Sequence, residues 1–163
     1  MVWLSDNSSL SALAEMSLID LLPTIYGKVH LTQSVLQESQ NAGAPLALRK
    51  LTSDLPNWLI LVPDPAELLL EVQHLGQGEA TSITLAKLGT HPTTVILDER
   101  KARSVARQLG VPHLGVVGIL EEAAALKLVK FETAVAQLRH TGFHLSERIV
   151  KEVQTRLSKR PSS

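Results

Sequence analysis

The sequence predicts an α/β protein: a three-layer α/β/α sandwich with a central parallel sheet. Three observations predict it. Short apolar segments alternate with longer helical ones, the pattern of βαβ units. The segment 93–98, TTVILD, is short, β-branched and bounded by turn residues, as a buried strand requires. The chain has 163 residues, enough for one domain that buries about 70% of the surface exposed by its unfolded chain. One domain is expected over 1–157, with 158–163, SKRPSS, as a frayed tail.

Each element has a local reason. Residues 2–6 form the first strand, and Asn7 or Ser8 caps the following helix, because a short side-chain oxygen accepts from first-turn amides. Gly27 interrupts the apolar stretch 18–26. Residues 29–31 are the second strand, and Thr32 caps a helix to Asn41. Breakers at 43–45 precede a short helix at 46–51, and 58–62 is the third strand, stopped by Pro63 and Pro65. Pro65 suits the first turn of a helix to His74. A loop at 75–78 leads into a helix at 79–88, ended by Gly89. After TTVILD comes a helix at 99–109, closed by Gly110, and a last short strand at 113–114. Helices at 116–126, 132–140 and 145–157 complete the chain.

Composition excludes several functions. Lys+Arg and Asp+Glu are both 16, so nucleic-acid contact must come from a local patch and not from net charge. With no cysteine there is no disulfide framework, thiolate zinc site or cysteine nucleophile. Aromatic residues are only 3%, too few for a base-stacking platform. The start, MVWLSDNSSL, lacks the features of a signal peptide, and no apolar run reaches the roughly 20 residues needed to span a bilayer. A cytoplasmic protein without membrane contact is expected.

In parallel sheets ligands bind beyond the strand carboxyl ends, where strand order reverses. Asp6 and Asp98 close two apolar strands there. Glu38 lies on the apolar stripe Leu31, Val35, Glu38, Ala42, and Glu79 on the stripe Glu79, Ile83, Ala86. Singly, each acid reads as a cap or a helix-dipole partner. Together they are four carboxylates brought to one place, and such a group needs a cation to stay ionised. Hard oxygen donors suit Mg²⁺ or Mn²⁺, the ions of phosphodiester hydrolysis. Ser8 could add a hydroxyl. Beside Asp98, the residues Arg100, Lys101, Arg103 and Arg107 form a basic cluster, with Arg100, Arg103 and Arg107 on an exposed stripe that could follow an RNA backbone.

These residues resemble a known family, the PIN domains, in particular a compact toxin-like branch recorded as a domain of unknown function. The resemblance is carried by SDNSSLSALAEMSLIDLLP, VHLTQSVLQES, GQGEATSITLA, VILDERKARSVARQLGVPHLGVVGIL and LKLVKFETAVAQLRHTGFHLSERIV, nearly the whole chain. It implies a metal-dependent ribonuclease in which Asp6, Glu38, Glu79 and Asp98 are the catalytic and metal-holding set. Glu99 stands where the family often has a second aspartate and is a further candidate ligand, with Ser8. The resemblance also implies products with 3′-hydroxyl and 5′-phosphate ends, a small antitoxin partner and a homodimer. Two departures stand out. The usual aspartate-threonine-serine-proline motif is Asp6-Asn7-Ser8-Ser9 here, and the usual aspartate two residues before the GEA glycine is Gly76.

The expected function is therefore a Mg²⁺- or Mn²⁺-dependent endoribonuclease, the toxin of a toxin–antitoxin pair. The alternative is a non-catalytic PIN-like domain that binds protein or RNA. A phosphotransfer α/β domain is disfavoured, because Ser8 stands where a phosphatase of that kind needs a second aspartate. Mutual repulsion among the four acids further predicts that Asp98→Asn leaves the metal-free protein at least as stable as the parent.

Overall fold

The computed structural model describes residues 1–161. The chain divides into two compact units, Met1–Val116 and the residues from Val117 onward. The first unit contains β1 (Val2–Ser5), α1 (Asn7–Glu15), α2 (Leu21–Tyr26), β2 (Val29–Thr32), α3 (Gln33–Ser39) and α4 (Leu46–Ser53). It continues through β3 (Leu59–Val62), a 3-10 turn (Leu70–Val72), α5 (Gln77–Leu88), β4 (Thr93–Ile96), α6 (Arg100–Gln108) and β5 (His113–Leu114).

The five strands are all parallel, in the order β3-β2-β1-β4-β5. The chain steps outward from β1 through β2 to β3, then returns to the other side of β1. Crossovers between parallel strands are right-handed. The β1–β2 and β2–β3 connections therefore cover one face of the sheet, and the connections through α5 and α6 cover the other. This is the three-layer α/β/α architecture. On the second face Leu4, Val95 and Leu97 pack with Ala80 and Ile83 of α5 and with Ala102, Val105 and Ala106 of α6. Each fully buried Leu, Ile or Val there contributes about 1.5–3 kcal/mol of hydrophobic stabilisation.

From Val116 the chain is helical: α7 (Val116–Ala125), α8 (Phe131–His140) and α9 (Glu147–Lys159). In the second unit Arg156 grips Glu121 through two hydrogen bonds of 2.8 and 3.0 Å, and Arg139 pairs with Glu147 at 2.7 Å. Ser158 and Lys159, expected in a frayed tail, belong to α9. Ser162 and Ser163 of that tail lie outside the described residues.

Three local expectations are corrected. The helix expected from Pro65 to His74 is replaced by the 3-10 turn Leu70–Val72, and Leu69, inside the expected span, is extended. Leu68, Leu69 and Leu75 reach the core cluster as separate anchors around the 3-10 turn. Second, α5 begins at Gln77, so part of the expected 75–78 loop is its first turn. Third, α1 is capped by Asp6, not by Asn7 or Ser8. An aspartate closing a strand accepts from the third amide of the next helix as readily as a later Ser or Asn.

Candidate active site

Strand order reverses between β1 and β4, whose register aligns Ser5 with Ile96. One residue on, the Asp6 N–H donates to the Ile96 carbonyl at 3.0 Å. Asp6 and Asp98 therefore leave neighbouring strands at the same edge. Ser9, in the first turn of α1, touches both. Its N–H donates to Asp6 Oδ1 at 2.9 Å, and its hydroxyl donates to Asp98 Oδ2 at 2.7 Å. Asp98 also accepts from the Val116 N–H, at 3.1 Å through Oδ1 and 3.2 Å through Oδ2. A Cβ on Gly115 would stand 2.8 Å from Asp98 Oδ1, so only glycine leaves that side of the carboxylate open. Asp6 is 1% exposed, and among the described residues its Oδ2 has no hydrogen-bond partner.

The helix-borne acids are held differently. Glu38 of α3 accepts the Gly78 N–H of α5 at 2.8 Å. A Cβ on Gly78 would lie 2.5 Å from Glu38 Oε2 and 3.0 Å from Val35 Cγ2, so this approach of α3 to α5 requires glycine. Glu79 follows, half-buried, in the first turn of α5. Glu99 caps α6, accepting from the Ala102 N–H at 2.8 Å.

The charges respond to this crowding. Burial first, then the charges of Asp98 and Glu79, lift the Asp6 carboxyl to about 7 against the Ser9 hydrogen bonds. Glu79 is raised by burial, then by Glu99 and Glu38. Asp98 is raised by burial and relieved by Ser9, the Val116 amide and the Arg103 guanidinium. Carboxyls raised by burial and by one another at a strand-order reversal mark a functional site.

The five acids expected from the sequence thus share one electrostatic neighbourhood. They are not a finished cage: among the described residues no three His, Asp or Glu side chains gather closely enough to hold one ion. Ser8 is exposed, and its neighbour Ser9 supplies the hydroxyl at the acids. Arg100, Lys101 and Arg107 are exposed, as the basic stripe requires. Arg103 departs from that stripe. It is half-buried beside Asp98, and its Nε is buried without a hydrogen-bond partner among the described residues. Asp64, which nothing in the sequence singles out, ties the end of β3 to α3 by accepting from the Ser34 N–H at 3.0 Å and hydroxyl at 2.6 Å.

The donor chemistry fits a hard divalent cation. With Ser8 turned to solvent, the remaining candidate ligands are carboxylate oxygens, Asp6 Oδ2 is unspent, and the space beside Asp98 Oδ1 is one that a Cβ would fill. A parallel three-layer sheet with acids at its order reversal places a polar site where such sheets bind ligands. A family model described as PIN domain, recorded as a domain of unknown function, matches residues 2–159, and the chain belongs to that family. PIN domains are generally nucleases and typically use divalent metals, which makes hydrolase the coarse class of this chain. No curated protein and no solved structure matches the chain. Among the described residues no helix is long and apolar enough to cross a membrane.

Proposed function

We propose that the protein is a metal-dependent endoribonuclease, acting in the cytoplasm as the toxin of a toxin–antitoxin pair. The observation that carries this reading is the Asp6–Asp98 pair at the order reversal: a buried carboxylate with one oxygen left unpartnered, joined through Ser9 to a half-buried one. Asp6 and Asp98 would hold Mg²⁺ or Mn²⁺, with Glu79, Glu38 and Glu99 completing the set by side-chain rotation. When bound, the ion supplies Lewis acidity toward phosphate and water. The chain's own residues do the rest. Ser9 orients the two aspartates, Glu38 fixes the first turn of α5 that carries Glu79, and Arg103 offers an unspent donor to a phosphate oxygen. Arg100, Lys101 and Arg107 follow the RNA backbone as exposed charges. A small antitoxin and a second copy of the chain are the proposed protein partners.

The second reading, a non-catalytic PIN-like domain, is favoured by one observation: no three acids are already gathered. RNA cleavage assayed with Mg²⁺, with Mn²⁺ and with EDTA separates the two. The nuclease reading expects metal-dependent products with 5′-phosphate ends, absent with EDTA. RNA left intact at millimolar Mn²⁺ would leave only the binding reading.

A further inference from the structure

Ser9 is fully buried, so its hydroxyl has no water to turn to. One residue points two donors at two acids on different strands, 89 residues apart along the chain for the hydroxyl contact. The division of oxygens is specific. Ser9 uses Oδ1 of Asp6 and Oδ2 of Asp98. That leaves Asp6 Oδ2 without a partner and Asp98 Oδ1 with only the Val116 amide, beside the space that Gly115 keeps open. The proline of the resembled motif has neither an amide hydrogen nor a hydroxyl. The bridge therefore belongs to this chain's own departure from the motif.

We propose that Ser9 is the positioning residue of the site: it holds Asp6 and Asp98 as a ready-made pair whose two remaining oxygens receive the divalent cation. This rests on the metal-dependent nuclease reading. Two carboxylates brought together without a cation repel each other and swing apart unless something holds them. A buried donor shared between them does so, and the ion then meets an arranged pair. Outer hydrogen-bond partners of metal-holding residues have this effect elsewhere, and their loss costs about 10–100-fold in metal affinity.

The test needs no RNA. Thermal melts of the full chain, in EDTA and across a Mn²⁺ series, give the metal concentration at half-maximal stabilisation, because an ion that binds only the folded state raises its melting temperature. Ser9→Ala keeps the amide bond to Asp6 and removes only the bridge to Asp98. The Mn²⁺ midpoint is expected to move upward by about 10–100-fold, and Ser9→Thr, which keeps both donors, to return it toward wild type. A Ser9→Ala protein that melts lower in EDTA but keeps the wild-type midpoint would show a purely structural hydroxyl and overturn the proposal. Should Ser9→Ala fail to fold, Ser9→Cys, whose thiol is only a weak donor to Asp98, replaces it, and an unchanged midpoint there overturns the proposal equally. A wild-type protein with no Mn²⁺ response at all sinks the metal reading itself. That outcome is distinct from a responsive wild type with indifferent variants.

Discussion

The strand-end acids and the helix-borne acids lie side by side, and both kinds spend an oxygen on a helix amide, but burial sets one of them apart. Asp98 is surrounded by donors, from Ser9, the Val116 amide and nearby Arg103, while Asp6 beside it is buried with one oxygen bare. Glu38 and Glu99 accept from helix amides too, at Gly78 and Ala102, and are only half-buried. The difference teaches which acids are available. A desolvated one with an unspent oxygen has a reason to bind a cation. Asp6 is thus the acid that a metal would relieve most, and Glu38 the acid whose loss the fold would notice most.

The largest expected effect is on chemistry. Asp6→Asn should reduce Mn²⁺-dependent RNA cleavage to background. Its metal-free melting temperature should stay at or above wild type, because asparagine caps α1 equally well and carries no charge to desolvate. A variant that still cleaves, or that melts far below wild type in EDTA, would break the distinction between the two groups.

The same residue sets a pH dependence. The folded protein holds a proton on Asp6 up to about pH 7, whereas the unfolded chain releases it near 3.8. Between those values the folded state binds more protons, so metal-free stability contributed by this group is full below pH 4 and is lost as pH rises through 7. The change is on the order of a few kcal/mol, at 1.36 kcal/mol per unit. Chemical denaturation at several pH values should show a steeper slope in wild type than in Asp6→Asn, which keeps only the contributions of the raised Glu79 and Asp98. Parallel curves would mean that Asp6 is not the desolvated acid.

Smaller effects probe the helix-borne group. Gly78→Ala drives a methyl into Glu38 and Val35 and should cost about 1–3 kcal/mol. Glu38→Ala should cost about 1–3 kcal/mol by leaving a buried amide unpaired, whereas Glu38→Gln keeps the acceptor and should melt close to wild type. If Glu38→Gln is as damaging as Glu38→Ala, charge and not capping holds α5. Smallest is Asp98→Asn: burial raises the Asp98 carboxyl against the pull of Ser9, the Val116 amide and Arg103, so the neutral variant should melt without metal at or within about 1 kcal/mol of wild type. Thermal melts in EDTA rank all four variants.

Much of this was legible in the sequence. TTVILD and VWLSD showed their strands through β-branching and position, and their closing aspartates marked the order reversal. Glu38 and Glu79 stood out as acids on apolar stripes. Ser9 did not, because a small residue in a first helical turn is ordinary and its partner lies far along the chain. The only available signal was a hydroxyl three residues after a strand-closing aspartate. Arg103 shares its helical stripe with Arg100 and Arg107, and periodicity cannot say that one of the three turns inward to a carboxylate. The helix expected after Pro65 failed because a favourable first-turn proline does not show that Leu68, Leu69 and Leu75 each anchor to the core, with Leu69 extended. The Asp64–Ser34 contact left no signal, because the two residues sit on different connections.

The Ser9–Asp98 bond joins residues 89 positions apart, through a pairing of β1 with β4 that skips two intervening strands. A chain emerging from the ribosome holds Asp6 early and lacks Asp98 until most of the first unit has been made. At typical synthesis rates that interval is roughly 4–18 s. Non-local pairings of this kind also close late in folding, since the entropy of the long loop must be lost before its contacts are gained. The nascent chain is thereby unable to bring its two strand-end aspartates together beside the RNA that encodes it. Under the proposed ribonuclease function, the topology of the sheet would delay activity until the chain's own message has been read past β4.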